Sequence, residues 1–139
     1  MSASAELDLA FAGPAALAAR VRAGDVHPRE LVELFLTRIQ TLDPHCNAFR
    51  TTMPEQALAE QALAEAEAAA GSAGRLAGVP IAIKDDIPLA GQSATRGSRS
   101  YGPPATADAE VVRRLRAAGA IPIGITNVRR GCAVSTRSR

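Results

Sequence analysis

Two short apolar segments on either side of a helical one constrain the fold of this chain more than any other feature of its sequence. Residues 79–83 and 121–125 are runs of mostly β-branched residues, as expected of buried strands. The segment 109–119, AEVVRRLRAAG, has apolar residues at helical spacing and closes at a glycine. A strand, a helix and a strand in this order predict a parallel pair, hence an α/β protein with helices on both faces of its sheet.

Proline and glycine positions indicate where the earlier helices begin and end. The first covers about residues 14–23, with Pro14 in its first turn and Gly24 after its end. The second opens at Pro28, and we expect it to end before Pro44 because proline disrupts helices. Its apolar face consists of Leu31, Leu34, Phe35, Ile39 and Leu42.

Two further helices follow from composition and spacing. One begins near Pro54 and ends at Gly71; since its apolar residues are mostly alanine, we expect it to lie on the surface. The other lies between the two predicted strands, and we expect Asp108 to cap it. Its predicted apolar stripe consists of Val111, Val112 and Leu115.

The length and the cysteine content limit the class of protein. A chain of 139 residues is enough for one domain with a core. It has no apolar run of 18 or more residues and no secretion-signal pattern at its start. Two cysteines, Cys46 and Cys132, are too few for a disulfide framework, so a cytoplasmic location is expected. Because His27, His45 and the cysteines lack metal-site spacing, no metal is expected.

The positive charge is concentrated at one end. The last eleven residues, RRGCAVSTRSR, hold four arginines and no acid. Without them the chain has 12 basic and 14 acidic residues, although the whole chain has a net charge of +2. Aromatic residues make up only 3% of the chain, whereas nucleic-acid binders combine a basic face with stacking aromatic rings. We therefore expect neither nucleic acid nor a membrane as a partner.

Lys84, the only lysine of the chain, follows the first predicted strand directly; the other fifteen basic residues are arginine. Partial burial at a strand end favours the neutral form of a lysine, which can act as a general base, whereas Asp85 and Asp86 favour the charged form. The alternative is an ordinary lysine whose amine reaches solvent and pairs with an aspartate. Spacing alone leaves both interpretations open.

Around this lysine the chain resembles the amidase signature family of serine-dependent amide hydrolases. The family pattern G-[VI]-P-[IV]-x-[VIL]-K-D matches GVPIAIKD at 78–85, and a following T-x-G-S loop matches ATRGS at 94–98. A second family motif, ending in Thr-Asn, matches residues 108–127. The resemblance covers most of residues 7–128. It implies an α/β chain that forms the N-terminal part of the amidase signature fold, with helices packed on a mixed β-sheet, and is incomplete.

The resemblance implies a catalytic role for Lys84. In such enzymes the equivalent lysine belongs to a Ser–Ser–Lys triad, in which a bridging serine relays protons between the lysine and the nucleophilic serine. The implied activity is the hydrolysis of carbon–nitrogen bonds in small amides. The family chemistry uses neither a metal nor an organic cofactor, so no cofactor is expected. Lys84 is the only residue of this triad that the resemblance identifies here.

The triad serines of the family come from a Gly/Ser-rich stretch some tens of residues beyond the Thr-Asn motif, and this sequence holds no such stretch. It also has Arg130 and Gly131 where the family has Glu and an apolar residue, and Ile125 where lysine is common. We therefore expect residues 1–128 to be the N-terminal portion of an amidase domain. We expect residues 129–139 to be a divergent basic tail, frameshifted or truncated, and the chain to be inactive alone.

Two alternatives remain open at this point. One is a non-catalytic binding or interaction module, derived from the N-terminal half of an amidase, that contacts an acidic partner through its basic tail. The other is an amidase assembled from two chains. In that case a second chain supplies the serines, and a small amide binds only to the completed site.

Overall fold

The computed structural model describes residues 3–69, 74–98 and 102–128. Within these ranges the elements are α1 Ala3–Phe11, α2 Pro14–Ala23, α3 Pro28–Cys46, β1 Phe49–Thr52, α4 Pro54–Ala69, β2 Pro80–Lys84, α5 Glu110–Ala117 and β3 Ile121–Thr126. The sheet order is β1-β3-β2; β2 pairs with β3 in parallel, and β1 pairs with β3 antiparallel. The predicted α/β class, with helices on a mixed sheet, and the predicted parallel pair are confirmed.

The central strand β3 is the core of the molecule, since five of its six residues are buried. On one face Ile121 and Ile123 pack in a cluster that includes Ala57 of α4. On the other face Ile125 packs in a cluster that includes Val112 of α5. Apolar burial on both faces of a parallel strand is what holds helices against it.

A β-bulge explains how residues two apart on β3 reach opposite faces. Ile81 pairs with Pro122, but the next residue of β2 pairs with Gly124, so Ile123 is an extra residue in β3. Side chains alternate between the two faces of a strand, and one extra residue inverts the alternation. Ile125 therefore lies on the α5 face although Ile123 lies on the face of α3 and α4.

The helix α2 has the predicted bounds, with Pro14 at its start and Gly24 in the left-handed conformation after its end. In contrast, the prediction that the second helix ends before Pro44 is wrong, because α3 continues to Cys46. Pro44 lies in the last turn, so its missing N–H and its ring disturb only the end of the helix. There the backbone carbonyl of Asp43 accepts a hydrogen bond from the Asn47 backbone N–H at 2.7 Å. The Asp43 carboxylate accepts another from the Ala48 backbone N–H at 2.6 Å.

Three side chains differ from the roles predicted for them in the helices: two on apolar faces and one as a cap. Leu42 and Val111 are about half exposed. Asp108 does not cap α5, whose N-cap is Ala109. Its carboxylate instead accepts a hydrogen bond from the Ala90 backbone N–H at 2.8 Å and forms an ion pair with Arg116.

The alanine-rich helix lies on the surface, as expected, along one face, where Glu55, Ala59 and Ala62 are exposed, but its other face is buried. In α4, Ala57 is fully buried and Gln61 is almost fully buried. Because alanine has a small side chain, α4 can approach the isoleucines of β3 closely.

The exposed start of α5 gives a prediction about pH. Hydrogen bonds from Arg113 and Arg114 lower the pKa of Glu110 to about 2. Because the folded pKa is depressed, this interaction stabilises the fold above the ordinary glutamate pKa and is lost as the pH falls through about 2. The substitution Arg113→Ala is expected to raise the Glu110 pKa, measured by an NMR titration of its side-chain carboxyl carbon. A Glu110 pKa unchanged by the substitution would contradict the assignment.

Candidate functional site

The carboxyl ends of β2 and β3 meet at one edge of the sheet. Lys84 and Thr126 are paired there, and Phe49, the first residue of β1, pairs with Thr126 from the other side. In open α/β sheets, ligands bind at the carboxyl ends of parallel strands. This edge is therefore where a functional site is expected.

Lys84 reaches solvent at this edge. Its side chain is 50% exposed, and its Nζ lies 3.1 Å from a carboxylate oxygen of Asp86, whose side chain is 37% exposed. This is the arrangement of the alternative interpretation, a lysine paired with an aspartate. A catalytic role for Lys84 thus stays a prediction.

The next residue, Asp85, is almost fully buried, at 3% exposure. One of its carboxylate oxygens accepts from the backbone N–H of Thr95 at 3.1 Å, and the other accepts from the Thr95 hydroxyl. Its backbone N–H donates to the Thr126 carbonyl at 3.0 Å, and its own carbonyl accepts from the Arg96 backbone N–H at 3.1 Å. Asp85 therefore joins the ends of two strands to the loop that follows β2.

The cation paired with Asp85 is Arg50 of β1. Its Nε lies 2.9 Å from the carboxylate but off the line of a hydrogen bond, so the contact is an ion pair. Its Nη2 donates to the Ser93 carbonyl at 2.8 Å. Phe49 pairs with Thr126, and Thr51 pairs with Ile125, which precedes Thr126. Arg50 is therefore an extra residue in β1. Bulges of this kind redirect a side chain, here toward Asp85.

The segment 94–98, which matches the T-x-G-S pattern, forms a tight turn. Arg96 and Gly97 both have positive φ, at 53° and 75°. A positive φ is uncommon for a residue other than glycine. The turn is closed by the Ser98 backbone N–H, which donates to the Thr95 carbonyl at 2.9 Å. With its bonds to Asp85, this turn is held over the end of β2.

Asn127, the last residue of the Thr-Asn motif, has a structural role in this chain. Its backbone N–H donates to the Ala48 carbonyl at 2.7 Å, and its side-chain amide donates to the Asn47 carbonyl at 2.9 Å. These bonds fasten the connection between α3 and β1 to the end of β3.

An apolar groove of about 380 Å³ lies beside the sheet on the α3 side. Its walls include Phe35, Ile39 and Leu42 of α3, Phe49 of β1, and Pro80, Ile81 and Ala82 of β2. By the alternation of side chains along β2, Ala82 and Lys84 share a face of the strand. The groove thus lies on the face of β2 that carries the lysine.

The other residues considered as ligands lie elsewhere. His27 caps α3: its Nδ1 accepts from the Arg29 backbone N–H, and its backbone N–H donates to Glu30. Cys46 is exposed at the end of the same helix, and Cys132 lies outside the described residues. Across residues 3–69, 74–98 and 102–128, no group of three or more His, Cys, Asp or Glu side chains could hold a metal ion. No helix within those ranges is long and apolar enough to cross a membrane.

Arg50 and Thr95 were not identified from the sequence, although they hold the residue beside Lys84. The signal for Thr95 was its place in the T-x-G-S pattern. No sequence signal pointed to Arg50, because it lies 35 positions before Asp85 and in a strand that is too short to show a pattern.

Comparison with known proteins gives one consistent relationship. The family model described as Amidase matches residues 30–139. AmiB2 of Mycobacterium tuberculosis is 52% identical over 121 residues, which are 87% of this chain and 26% of AmiB2. AmiA2 of the same organism is 48% identical over 102 residues, which are 73% of this chain and 21% of AmiA2.

Solved structures agree with these sequence matches. The native peptide amidase of Stenotrophomonas maltophilia superposes with a TM-score of 0.78 at 36% identity, over 86% of this chain and 25% of that one. The chain therefore spans about a quarter of the length of the proteins it matches.

Proposed function

Because the chain belongs to the amidase family, we propose that it contributes Lys84 as the base of an amide-hydrolysing site. The serines are supplied by polypeptide outside these 139 residues. The observation that carries this proposal is the position of Lys84. The lysine ends a parallel strand at the edge of the sheet where α/β proteins bind ligands, inside the motif that the family resemblance rests on.

The chemistry requires more than this lysine. A serine hydroxyl becomes a nucleophile only when a base accepts its proton, and a lysine accepts a proton only in its neutral form. Within the proposed site a bridging serine carries the proton between Lys84 and the attacking serine. The attacking oxygen then forms a bond to the amide carbon, the carbon–nitrogen bond breaks, and the amine leaves with the proton. Water next hydrolyses the ester formed on the serine, which releases the acid and restores the serine hydroxyl.

The exposure of Lys84 supports the need for additional polypeptide. Its side chain is half exposed, and its amine is paired with the partly exposed carboxylate of Asp86. Covering this edge removes water, which favours the neutral amine. A second chain that completes the amidase fold would provide both the cover and the serines.

The test compares the chain alone with a completed enzyme. We expect the purified chain to release no ammonia from small amides above the buffer rate. Co-expression with the part of AmiB2 beyond its matched quarter is expected to give hydrolysis. Substituting Lys84→Ala in that complex should reduce the rate by at least about a thousandfold.

Arg113→Ala is the matched control, because Arg113 is exposed on α5 and its ion-pair partner is Glu110 of the same helix. Its complex should keep the parental rate. Two results would oppose the proposal: hydrolysis by the isolated chain, or an active complex whose rate survives Lys84→Ala. A complex that never assembles is recognised by size-exclusion chromatography before any rate is measured.

A further inference from the structure

We propose that Asp85 is a positioning residue that, through Arg50 and Thr95, fixes the main chain of Lys84 against the turn at 94–98. The proposed function enters only in naming Lys84 as the base. The proposal rests on the buried network around Asp85, which the lysine itself does not touch through its side chain.

Asp85 is bonded to the rest of the fold through both its side chain and its main chain. Its carboxylate accepts two bonds from Thr95, its carbonyl accepts one from the Arg96 backbone N–H, and its own backbone N–H donates to the Thr126 carbonyl. Every polar group of this residue is therefore engaged. Because Lys84 precedes it directly, the peptide unit that joins them has no freedom to rotate independently.

The carbonyl of Lys84 is held as well. It accepts from the backbone N–H of Ile87 at 2.9 Å, which closes the turn after β2. The lysine main chain is thus held between this turn and the bond from Asp85 to β3. Its side chain takes no part in these bonds, and its amine pairs with Asp86.

The network around position 85 requires a carboxylate. Three groups converge on two buried oxygens: the Thr95 N–H, the Thr95 hydroxyl and the Arg50 guanidinium. An asparagine has one acceptor oxygen and no charge, so it cannot satisfy all three. Arg50, with a side chain only 19% exposed, would lose its anion, and its hold on the loop through Ser93 would weaken.

Asp85 and Asp86 differ in what they contact. Successive side chains of a strand point to opposite faces, so Lys84 lies on the face of β2 opposite Ile83, whereas Asp85 begins the turn that follows β2. Asp86 contacts the lysine amine directly. The two aspartates are adjacent and chemically identical, and they make distinct contributions: one fixes the lysine main chain, the other pairs with its amine.

The experiment uses the full chain, in which isotope-labelled lysine gives the signals of Lys84 alone. In Asp85→Asn we expect the Lys84 Cα and carbonyl signals to move. Hydrogen exchange should also rise about tenfold more at the amides of Thr95, Arg96 and Ile87 than at those of Met53 and Ile121. The last two amides are bonded within the sheet, to Ile123 and Val79, and report global unfolding.

The matched control is Asp86→Asn, which should move the Lys84 side-chain Cε signal and leave its main-chain signals in place. Thr95→Val removes only the hydroxyl and keeps the Arg50 pair, so it decides the question if Asp85→Asn does not fold. Simple destabilisation raises exchange at all five amides equally and leaves native chemical shifts unchanged. That result in Asp85→Asn, or in Thr95→Val where Asp85→Asn does not fold, would overturn the proposal, whether or not the chain ever takes part in hydrolysis.

Discussion

Gly119→Ala is expected to lower the free energy of unfolding by about 2–5 kcal/mol, from a left-handed backbone and a steric clash together. Gly119 has a φ of +89°, and an added Cβ would lie 2.7 Å from the Ala77 Cα and 3.0 Å from its backbone nitrogen. These are main-chain atoms, which cannot rotate away. They are also held in place, since the Gly78 N–H donates to the Gly119 carbonyl at 3.0 Å.

The control for this prediction is Gly24→Ala. Gly24 has nearly the same backbone angle, a φ of +77°, but nothing lies within 4 Å of an added Cβ. The free energy of unfolding of Gly24→Ala should therefore fall by only about 1 kcal/mol, the conformational cost of a left-handed alanine. Urea unfolding followed by circular dichroism measures both. Equal losses for the two variants would mean that the chain relaxes around Gly119 without strain.

Arg50→Met is expected to lower the free energy of unfolding by about 3–5 kcal/mol, because it leaves the charge of a buried carboxylate without its cation. Asp85 is 3% exposed and its partner 19% exposed, so water cannot replace the guanidinium. Methionine keeps much of the apolar volume of the arginine, which confines the change to charge and hydrogen bonds. The same urea titration measures the loss.

Lys84→Met is the matched comparison. It also removes a cation from an aspartate, but this pair is 50% and 37% exposed. Solvent screens such a pair, and its loss should cost no more than about 1 kcal/mol. If both methionine variants unfold at the same urea concentration, the Arg50–Asp85 pair does not differ from a surface pair.

The parts of the fold that could be predicted are those indicated by residues within or directly beside each element. Pro14 and Gly24 bracket α2, and the two runs rich in β-branched residues are short, which favours strands over helices. The elements that escaped prediction lack such signals. β1 has only four residues, too few for alternation, and α1 has neither a proline at its start nor a glycine directly after its end.

In the candidate site too, contacts between neighbours in sequence could be predicted and contacts between distant residues could not. Lys84 stands at a strand end, and its neighbours in sequence suggested its pairing with an aspartate. The partner of Asp85 could not be predicted from the sequence, because it reaches the site through a bulge in another strand. Asp108 shows the converse: its position before a helix is typical of a cap, yet the Ala90 N–H and Arg116 compete successfully for its carboxylate.

The extra residue in β3 has a consequence for how the chain tolerates variation. Ile123 and Ile125 would lie side by side on one face of a regular strand, but here they pack in separate clusters. Substitutions at these two positions should therefore have additive effects, whereas Ile121 and Ile123 share neighbours and should be coupled. Replacements can then accumulate against α3 and α4 while the opposite face, where Ile83 and Ile125 pack with Val112, stays unaltered.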